Sequence, residues 1–297
     1  MAAGQKALVI GLDGARGDLI AAAVREGRAP NLARLNSLVP CTSCAGPCAR
    51  PQSGPDGLPH VLWRTCPGWS SVLTGVDSTR HGVWDNSAAS VAHAVDFVRH
   101  QQPTFLRPAG GRACAVGRPS VIGVPGGKPG ILDAEKPYLH WRAEPVATGH
   151  AGEVRNVDFM LRALSAADCP DSSFAHLDGI DQAGHKHGWG SPQQLRAITE
   201  VDEQVGRLLD VVAWRARNRG EPWLVVCTAD HGGHDKEHGS VRETDSCIPF
   251  MGNFAPGPRS RQRLAEGAEP RQFDAATTVC AWMGYPTDLH QGWDWRS

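Results

Sequence analysis

The sequence predicts an α/β sandwich built on a mostly parallel central sheet. Residues 7–12, 173–177 and 223–228 are short apolar runs of the kind that form strands buried on both faces. Segments whose apolar residues recur at helical spacing separate these runs, and such alternation is typical of parallel sheets covered by helices. A chain of 297 residues is long enough for one large domain, so we expect a single domain over residues 1–297.

The other elements are predicted from the spacing of apolar residues and from the residues that end helices. Glycine closes two of the helices, at Gly75 and Gly284, and the stretch 40–59, rich in Pro, Gly, Ser and Cys, is predicted to be a loop. A further apolar segment, 247–251, follows the last strand. In chain order the helices are predicted at residues 18–26, 29–35, 69–73, 157–166, 191–218 and 273–284.

The stretch from residue 100 to residue 150 fits no regular pattern. It is rich in Gly and Pro and holds only short apolar pieces such as 120–124. Loops this long are rare in compact domains unless they serve a function. We therefore expect a small lid or insertion at about 100–150.

Charge and composition argue against several classes of partner. The 30 basic and 31 acidic residues nearly cancel, which disfavours binding to a nucleic-acid polymer or to a membrane surface. No stretch approaches the roughly 20 apolar residues of a membrane-spanning helix. The N-terminus enters the first strand without the pattern of a signal peptide, and we expect a cytoplasmic protein.

The nine cysteines are irregularly spaced, and a cytoplasmic chain would keep them reduced. Cys41, Cys44 and Cys48 crowd the predicted loop, but no fourth ligand for a structural zinc ion is evident near them. We therefore expect a loop with reduced thiols there.

Two short stretches, 178–185 and 228–239, concentrate carboxylate and imidazole side chains beside glycines. The second follows the predicted strand 223–228, and open α/β sheets bind ligands at the carboxyl ends of their strands. Oxygen and nitrogen ligands together suit zinc, manganese or iron. With one more aspartate after the first strand, the candidate metal ligands are Asp13, Asp181, His185, Asp230, His231 and His238.

This ligand set leaves alternatives open. Asp13 and Asp230 are also well placed to cap the turns after their strands, which is a common role of aspartate. His234 competes with His238, because the spacing of the ligands does not choose between them.

A second signal lies in the segment 64–86. A hydroxyl or thiol before Pro67, at a junction between loop and helix, lies where the amides of a helix N-terminus receive an anion. Thr65 is a candidate nucleophile if a metal ion lowers the pKa of its hydroxyl, and Cys66 is its rival. Asn86 is a candidate donor to an anionic oxygen, or alternatively a turn residue.

Together these segments resemble the alkaline phosphatase superfamily, and within it the type I phosphodiesterase/nucleotide pyrophosphatase branch. The C-terminal helix also resembles the end of that family, and the whole set is far more specific than any one motif. The resemblance implies an alkaline-phosphatase-like three-layer sandwich. In the order of the family, the matching segments are residues 11–19, 65–86, 181–188 and 230–239.

The resemblance also implies two divalent metal ions, zinc or alternatively manganese or iron. One ion would be bound by Asp181, His185 and His238. The other ion would be bound by Asp13, Asp230, His231 and the hydroxyl of Thr65. Asn86 would hold a phosphoryl oxygen. The implied reaction is hydrolysis of a phosphodiester or pyrophosphate bond of a small molecule, in two in-line displacements through a phosphothreonine at Thr65.

Other functions on the same scaffold are a phosphomonoesterase, a phosphonate hydrolase or a phosphoryl transferase. Monoesterases of this kind tend to carry an extra cation for the third charged oxygen, and Arg16, Arg80 and Lys186 are equally explained as surface charges. A sulfatase is less favoured, since that branch shows a Cys-x-Pro-x-Arg pattern, whereas here Cys66 is followed directly by Pro67. A catalytically silent binding protein is disfavoured because every expected ligand position is filled.

Overall fold

The structure is a computed structural model. It describes residues 4–35, 63–109, 112–118, 121, 129–142, 150–240, 242–255 and 270–292, together with the backbone of 52–53 and 59–60.

Within these residues the strands are β1 (Lys6–Leu12), β2 (Gln52–Ser53), β3 (Pro59–His60), β4 (Ala113–Val116), β5 (Leu139–Arg142), β6 (Ser172–Leu177), β7 (Trp223–Thr228) and β8 (Phe250–Ala255). The helices of the same residues are α1 (Gly17–Arg25), α2 (Pro30–Ala33), α3 (Thr65–Thr74), α4 (Ser78–His81), α5 (Ala88–His100), α6 (His150–Ser165), α7 (Gly179–His187), α8 (Pro192–Arg219), α9 (Glu243–Ser246) and α10 (Asp274–Met283), with short 3-10 helices at Arg107–Ala109 and Ile131–Tyr138.

Six strands form the central sheet in the order β5-β4-β6-β1-β7-β8. All neighbours pair in parallel except β7 and β8, which are antiparallel. Every residue of β1, β6 and β7 is buried, as expected for apolar strands covered on both faces. The predicted mostly parallel sheet is confirmed. Because β1 lies between β6 and β7, the carboxyl ends of three buried strands meet at the centre of one edge.

The helices pack in two groups that cover the sheet. One group joins α1, α2, α6 and α7 to the long helix α8, and α6 also packs on β4 and β6. The other group joins α3 to α4, α5 and α10, and α10 packs on β1 and β7. This is the expected three-layer sandwich, with one apolar core running through the sheet.

Helix α3 begins four residues earlier than the predicted helix at Trp69. Pro67 does not prevent this earlier start, because proline is tolerated in the first turn of a helix, where its missing N–H has no partner to lose. Thr65 is therefore the first residue of α3, and all ten residues of the helix are buried. With every face buried, α3 lacks the one-sided apolar pattern that marks a surface helix.

Part of the segment predicted as a lid belongs to the sheet instead. Strand β5 is an edge strand of the sheet and β4 pairs in parallel with it and with β6; each has only four residues, which is too short for a clear apolar run. Residues 110–111, 119–120, 122–128 and 143–149 of this segment lie outside the described residues, where the lid stays a prediction. The predicted loop 40–59 is described only at β2 and the first residue of β3, which pair antiparallel.

The cysteines of the described residues differ in state. Cys66, Cys114, Cys169, Cys227 and Cys280 are buried free thiols. Cys247 is disulfide-bonded, so the expectation of reduced cysteines throughout is wrong there. Cys41, Cys44 and Cys48 lie outside the described residues. No helix in the described part of the chain is long and apolar enough to cross a membrane, and the cytoplasmic location stays a prediction.

Candidate metal centre and active site

The predicted ligands converge at the edge where β1, β6 and β7 end. Asp13 directly follows β1, Asp181 lies in the first turn of α7 after β6, and Asp230 is the second residue after β7. Their side chains are almost completely buried. Parallel pairing of the strands thus gathers three carboxylates that are far apart in sequence.

Asp181, His185 and His238 form one group in which single ligand atoms lie within 4.8 Å of one another. Asp181 and His185 are one turn apart on α7, and His185 Nε2 lies 3.4 Å from Asp181 Oδ1. The other ring nitrogen of each histidine contacts a backbone carbonyl: His185 Nδ1 is 2.9 Å from Lys236 O, and His238 Nδ1 is 3.1 Å from Trp63 O. Donation from Nδ1 leaves Nε2 free to bind metal.

Asp13, Asp181 and His231 form a second group that meets the same criterion, so Asp181 is common to both. His231 Nε2 lies 3.5 Å from Asp13 Oδ1 and 3.3 Å from Asp230 Oδ2. His231 Nδ1 lies 2.8 Å from Gly232 O, which again directs Nε2 into the centre. The rings of His231 and His238 stack with centroids 3.6 Å apart, and this contact joins the two groups.

The donor atoms of the centre fit metal ions. Buried polar atoms are normally hydrogen-bonded, and each exception calls for an explanation such as an ion. Among the candidate ligands, the buried atoms without a hydrogen-bond partner are Asp13 Oδ1, Asp181 Oδ1, Asp230 Oδ2 and His231 Nε2. Three carboxylates and neutral imidazoles are ligands that zinc, manganese and iron accept.

The carboxyl groups of the centre crowd one another electrostatically, and a bound cation would relieve that crowding. Burial raises the pKa of Asp13, but the hydrogen bond from His176 and the charge of Arg118 outweigh it and hold that pKa well below its usual range. Burial and the charge of Asp13 raise the pKa of both Asp181 and Asp230. Burial lowers the pKa of His231 to about 3, which keeps its imidazole neutral, as a metal ligand must be.

Thr65 and Asn86 lie together beside this centre. The Asn86 carbonyl oxygen accepts the Cys66 N–H at 2.8 Å, and its amide nitrogen lies 3.5 Å from Thr65 Oγ1. Gly68, one turn along α3, is packed so tightly against the backbone of Asp230 that a Cβ there would lie 2.6 Å from the Asp230 carbonyl oxygen. This close approach brings the start of α3, and with it Thr65, to the carboxyl end of β7.

Two alternatives were left open: Cys66 instead of Thr65 as the nucleophile, and His234 instead of His238 as a ligand. Burial, with the charges of Asp13 and Asp230, raises the pKa of the Cys66 thiol to about 12, so that it stays protonated. Because the thiolate is the nucleophilic form of cysteine, the raised pKa disfavours Cys66 as the nucleophile. His234 belongs to neither metal group; its Nδ1 lies 2.7 Å from Asp245 Oδ1.

Three residues that sequence reasoning missed shape the centre. His176, on β6, places Nε2 3.0 Å from Asp13 Oδ2. Arg118, two residues after β4, places Nη1 3.2 Å from the same oxygen. Trp189 donates from Nε1 to the carbonyl of Gly14 at 2.8 Å, and its ring packs against His185. For His176 the sequence did offer a signal, because it lies inside a strand that is predicted to be buried and a buried histidine usually has a partner. Nothing in the sequence around Arg118 separates it from a surface arginine.

Within the described residues, the cations considered from the sequence make no ion pair with these carboxylates. Arg16 pairs with Asp18 at 2.7 Å, and Arg80 donates to the carbonyl of Leu289. Lys186 is an exposed residue near the end of α7.

Several solved structures share the fold of this chain at low sequence identity. Murine ectonucleotide pyrophosphatase/phosphodiesterase 5 is 15% identical, with a TM-score of 0.60 over 98% of both chains. A second solved structure of the same murine protein is that of an inactive threonine-to-alanine variant in complex with AMP. A putative sulfatase from Bacteroides thetaiotaomicron is 14% identical, with a TM-score of 0.68 over 99% of this chain and 74% of that one. The phosphonate monoester hydrolase of Agrobacterium radiobacter is 15% identical, with a TM-score of 0.57 over 94% of this chain and 74% of that one.

These similarities confirm the alkaline-phosphatase-like fold. No curated protein matches the chain by sequence. The model of one protein family, described as type I phosphodiesterase/nucleotide pyrophosphatase, matches residues 7–276, nearly the whole chain. The chain therefore belongs to the type I phosphodiesterase/nucleotide pyrophosphatase family.

Proposed function

We propose that this protein is a metal-dependent phosphohydrolase that cleaves phosphodiester or pyrophosphate bonds of a small molecule. The observation that carries the proposal is the convergence of two Asp/His groups with unpaired buried donor atoms at one edge of the sheet. Membership of the family supports the reaction class. The near-zero net charge favours a small substrate held by a few local groups over a nucleic-acid polymer.

In this proposal the residues divide between two ions. Asp181, His185 and His238 would hold one ion. Asp13, Asp230, His231 and the Thr65 hydroxyl would hold the other. When bound, the ions supply Lewis-acid stabilisation of the attacking and leaving oxygens of an in-line displacement.

Thr65 is the proposed nucleophile. Its Oγ forms a bond to phosphorus as the bond to the leaving oxygen breaks, and a water molecule then cleaves the phosphothreonine and restores the hydroxyl. Asn86 is well placed to donate to a phosphoryl oxygen, because its carbonyl is already engaged by Cys66 N and its amide faces Thr65. The AMP complex of the inactive threonine-to-alanine variant of the murine relative supports a threonine nucleophile here.

A hydrolase of phosphomonoesters or phosphonates is the second candidate, and Arg118 is the observation that favours it. Its guanidinium lies among the carboxylates of the centre. It could there bind the third charged oxygen of a monoester, for which the sequence had indicated no cation. A phosphonate monoester hydrolase also shares the fold.

The test compares an activated aryl phosphodiester with the corresponding monoester on protein loaded with Zn²⁺ or Mn²⁺. We expect diester hydrolysis that disappears on chelation and returns with metal. Thr65→Ala is expected to lose turnover and keep metal binding, whereas Thr65→Ser, which retains a hydroxyl, keeps part of the activity. Normal turnover in Thr65→Ala would contradict the nucleophile assignment, and faster monoester cleavage would favour the second candidate.

A further inference from the structure

Arg118 is a cation built into the middle of the candidate metal centre. Its Nη1 lies 3.2 Å from Asp13 Oδ2 and 3.5 Å from Asp181 Oδ2. These two carboxylates belong to different proposed ions, so one guanidinium bridges the two halves of the centre. The Arg118 side chain is 22% exposed and both partners are buried, which limits screening of the ion pairs by solvent.

The fold holds Arg118 in this position. It follows β4, which pairs with β6 on the side away from β1. Gly117, just before it, approaches β6 so closely that a Cβ there would lie 2.8 Å from the Cβ of His176. The chain is thereby directed from the end of β4 over the end of β6, toward the carboxylates.

Arg118 is outnumbered by the carboxyl groups around it. Asp13, Asp181 and Asp230 are buried side by side, and each has an oxygen without a partner. Among the arginines and lysines that the structure describes, Arg118 is the one in ion-pair contact with these carboxylates. Asp13 is the carboxyl whose pKa is held low, and leaving its buried charge without a cation is strongly destabilising, so the guanidinium has a specific electrostatic role.

We infer that Arg118 competes with divalent metal for Asp13 and Asp181 and thereby limits the metal affinity of the centre. The inference rests on the proposed metal-dependent function. Arg118 is a positioning residue in this role: it steadies the carboxylates in protein stripped of metal, and its positive charge opposes the binding of further cations. Metal binding and the Arg118 ion pairs therefore share one set of negative charges, and strengthening one weakens the other.

The experiment measures the affinity of the purified full chain for Zn²⁺ and Mn²⁺ by competition with a chromogenic chelator. Arg118→Met removes the charge at similar length, and Arg118→Lys keeps it. Arg112→Met is the matched control, because Arg112 precedes the same strand β4 at its other end and pairs with Asp171 instead. We expect Arg118→Met to bind metal about tenfold more tightly or better. Arg118→Lys and Arg112→Met should stay close to the wild type.

A second readout is thermal unfolding with chelator and with metal. Arg118→Met should unfold at a lower temperature than the wild type in chelator and gain more from added Zn²⁺. Arg118→Gln serves the same purpose if Arg118→Met does not fold. Equal or weaker metal affinity in the neutral variants, with a wild type that binds metal, would overturn the inference and leave the proposed function standing. Absence of metal binding in the wild type itself would overturn both.

Discussion

Gly14→Ala tests whether the backbone at the end of β1 sets the geometry of the candidate metal centre. Gly14 has a φ of +69°, and a Cβ added there would lie 2.8 Å from both Cα and Cβ of Asp181. Ordinary contact begins at 3.4 Å, so Asp181 would have to move by about 0.6 Å. The contact involves the backbone of α7, which no change of side-chain rotamer can relieve.

Two costs are expected from this substitution. The left-handed backbone costs a non-glycine residue about 1–2 kcal/mol. Forcing a methyl group against packed atoms adds about 1–3 kcal/mol. Because Asp181 belongs to both metal groups, its displacement should also weaken metal binding, by roughly 10- to 100-fold if it resembles the loss of a residue that orients a ligand.

Gly220→Ala is the matched control for the backbone cost. Gly220 has a φ of +66° at the end of α8, and no described atom lies within 4 Å of a Cβ added there. Denaturant unfolding in chelator should show a larger loss of unfolding free energy for Gly14→Ala than for Gly220→Ala, and chelator competition should show weaker metal binding only in the former. The reasoning is refuted if the two variants lose equal stability and Gly14→Ala binds metal like the wild type.

Two further predictions concern histidine ligation and pH. His238→Asn should weaken metal binding by about 100-fold. His234→Asn should have a much smaller effect, because the imidazole of His234 faces Asp245. The reverse order of metal affinities would place His234 among the ligands. Burial raises the pKa of Glu153 from 4.5 to about 8, so its contribution to stability is present below pH 4.5 and is lost as the pH rises through about 8. Glu153→Gln removes the titrating carboxyl but keeps an acceptor for the Gly179 N–H. The free energy of unfolding, measured at about pH 5 and about pH 9, should therefore depend less on pH and be higher by a few kcal/mol at the higher pH. An unchanged pH dependence would exclude Glu153 as its source.

Much of the candidate site was predictable because its residues follow apolar strands. The runs that became β1 and β7 are long enough to be recognised, and Asp13 and Asp230 come directly after them or nearly so. Parallel strands end at one edge of the sheet, so the meeting of these aspartates could be expected before the structure was known. The four-residue spacing of Asp181 and His185 is likewise realised as one turn of α7.

Other parts of the site were not predictable from local pattern. Helix α3 is buried on all sides and starts ahead of a proline, so neither periodicity nor a helix-start rule marks Thr65 as its first residue. Strand β4 is too short to recognise, and Arg118 depends on β4 for its position. The contact of His176 with Asp13 follows from the pairing of β1 with β6, which the sequence does not specify.

The sequence by itself determined the class of the fold and the family, and it predicted the ligand types of the candidate centre, because strand patterns and ligand types are local properties of the chain. Tertiary structure alone decided which groups act on one another. It brought Asp181 into both metal groups, turned the Nε2 atoms of His185, His231 and His238 toward the centre, and set Arg118 between two carboxylates. These relations depend on sheet order, on buried carbonyl acceptors and on close approach at glycine, all of which are set by contacts between residues remote in sequence.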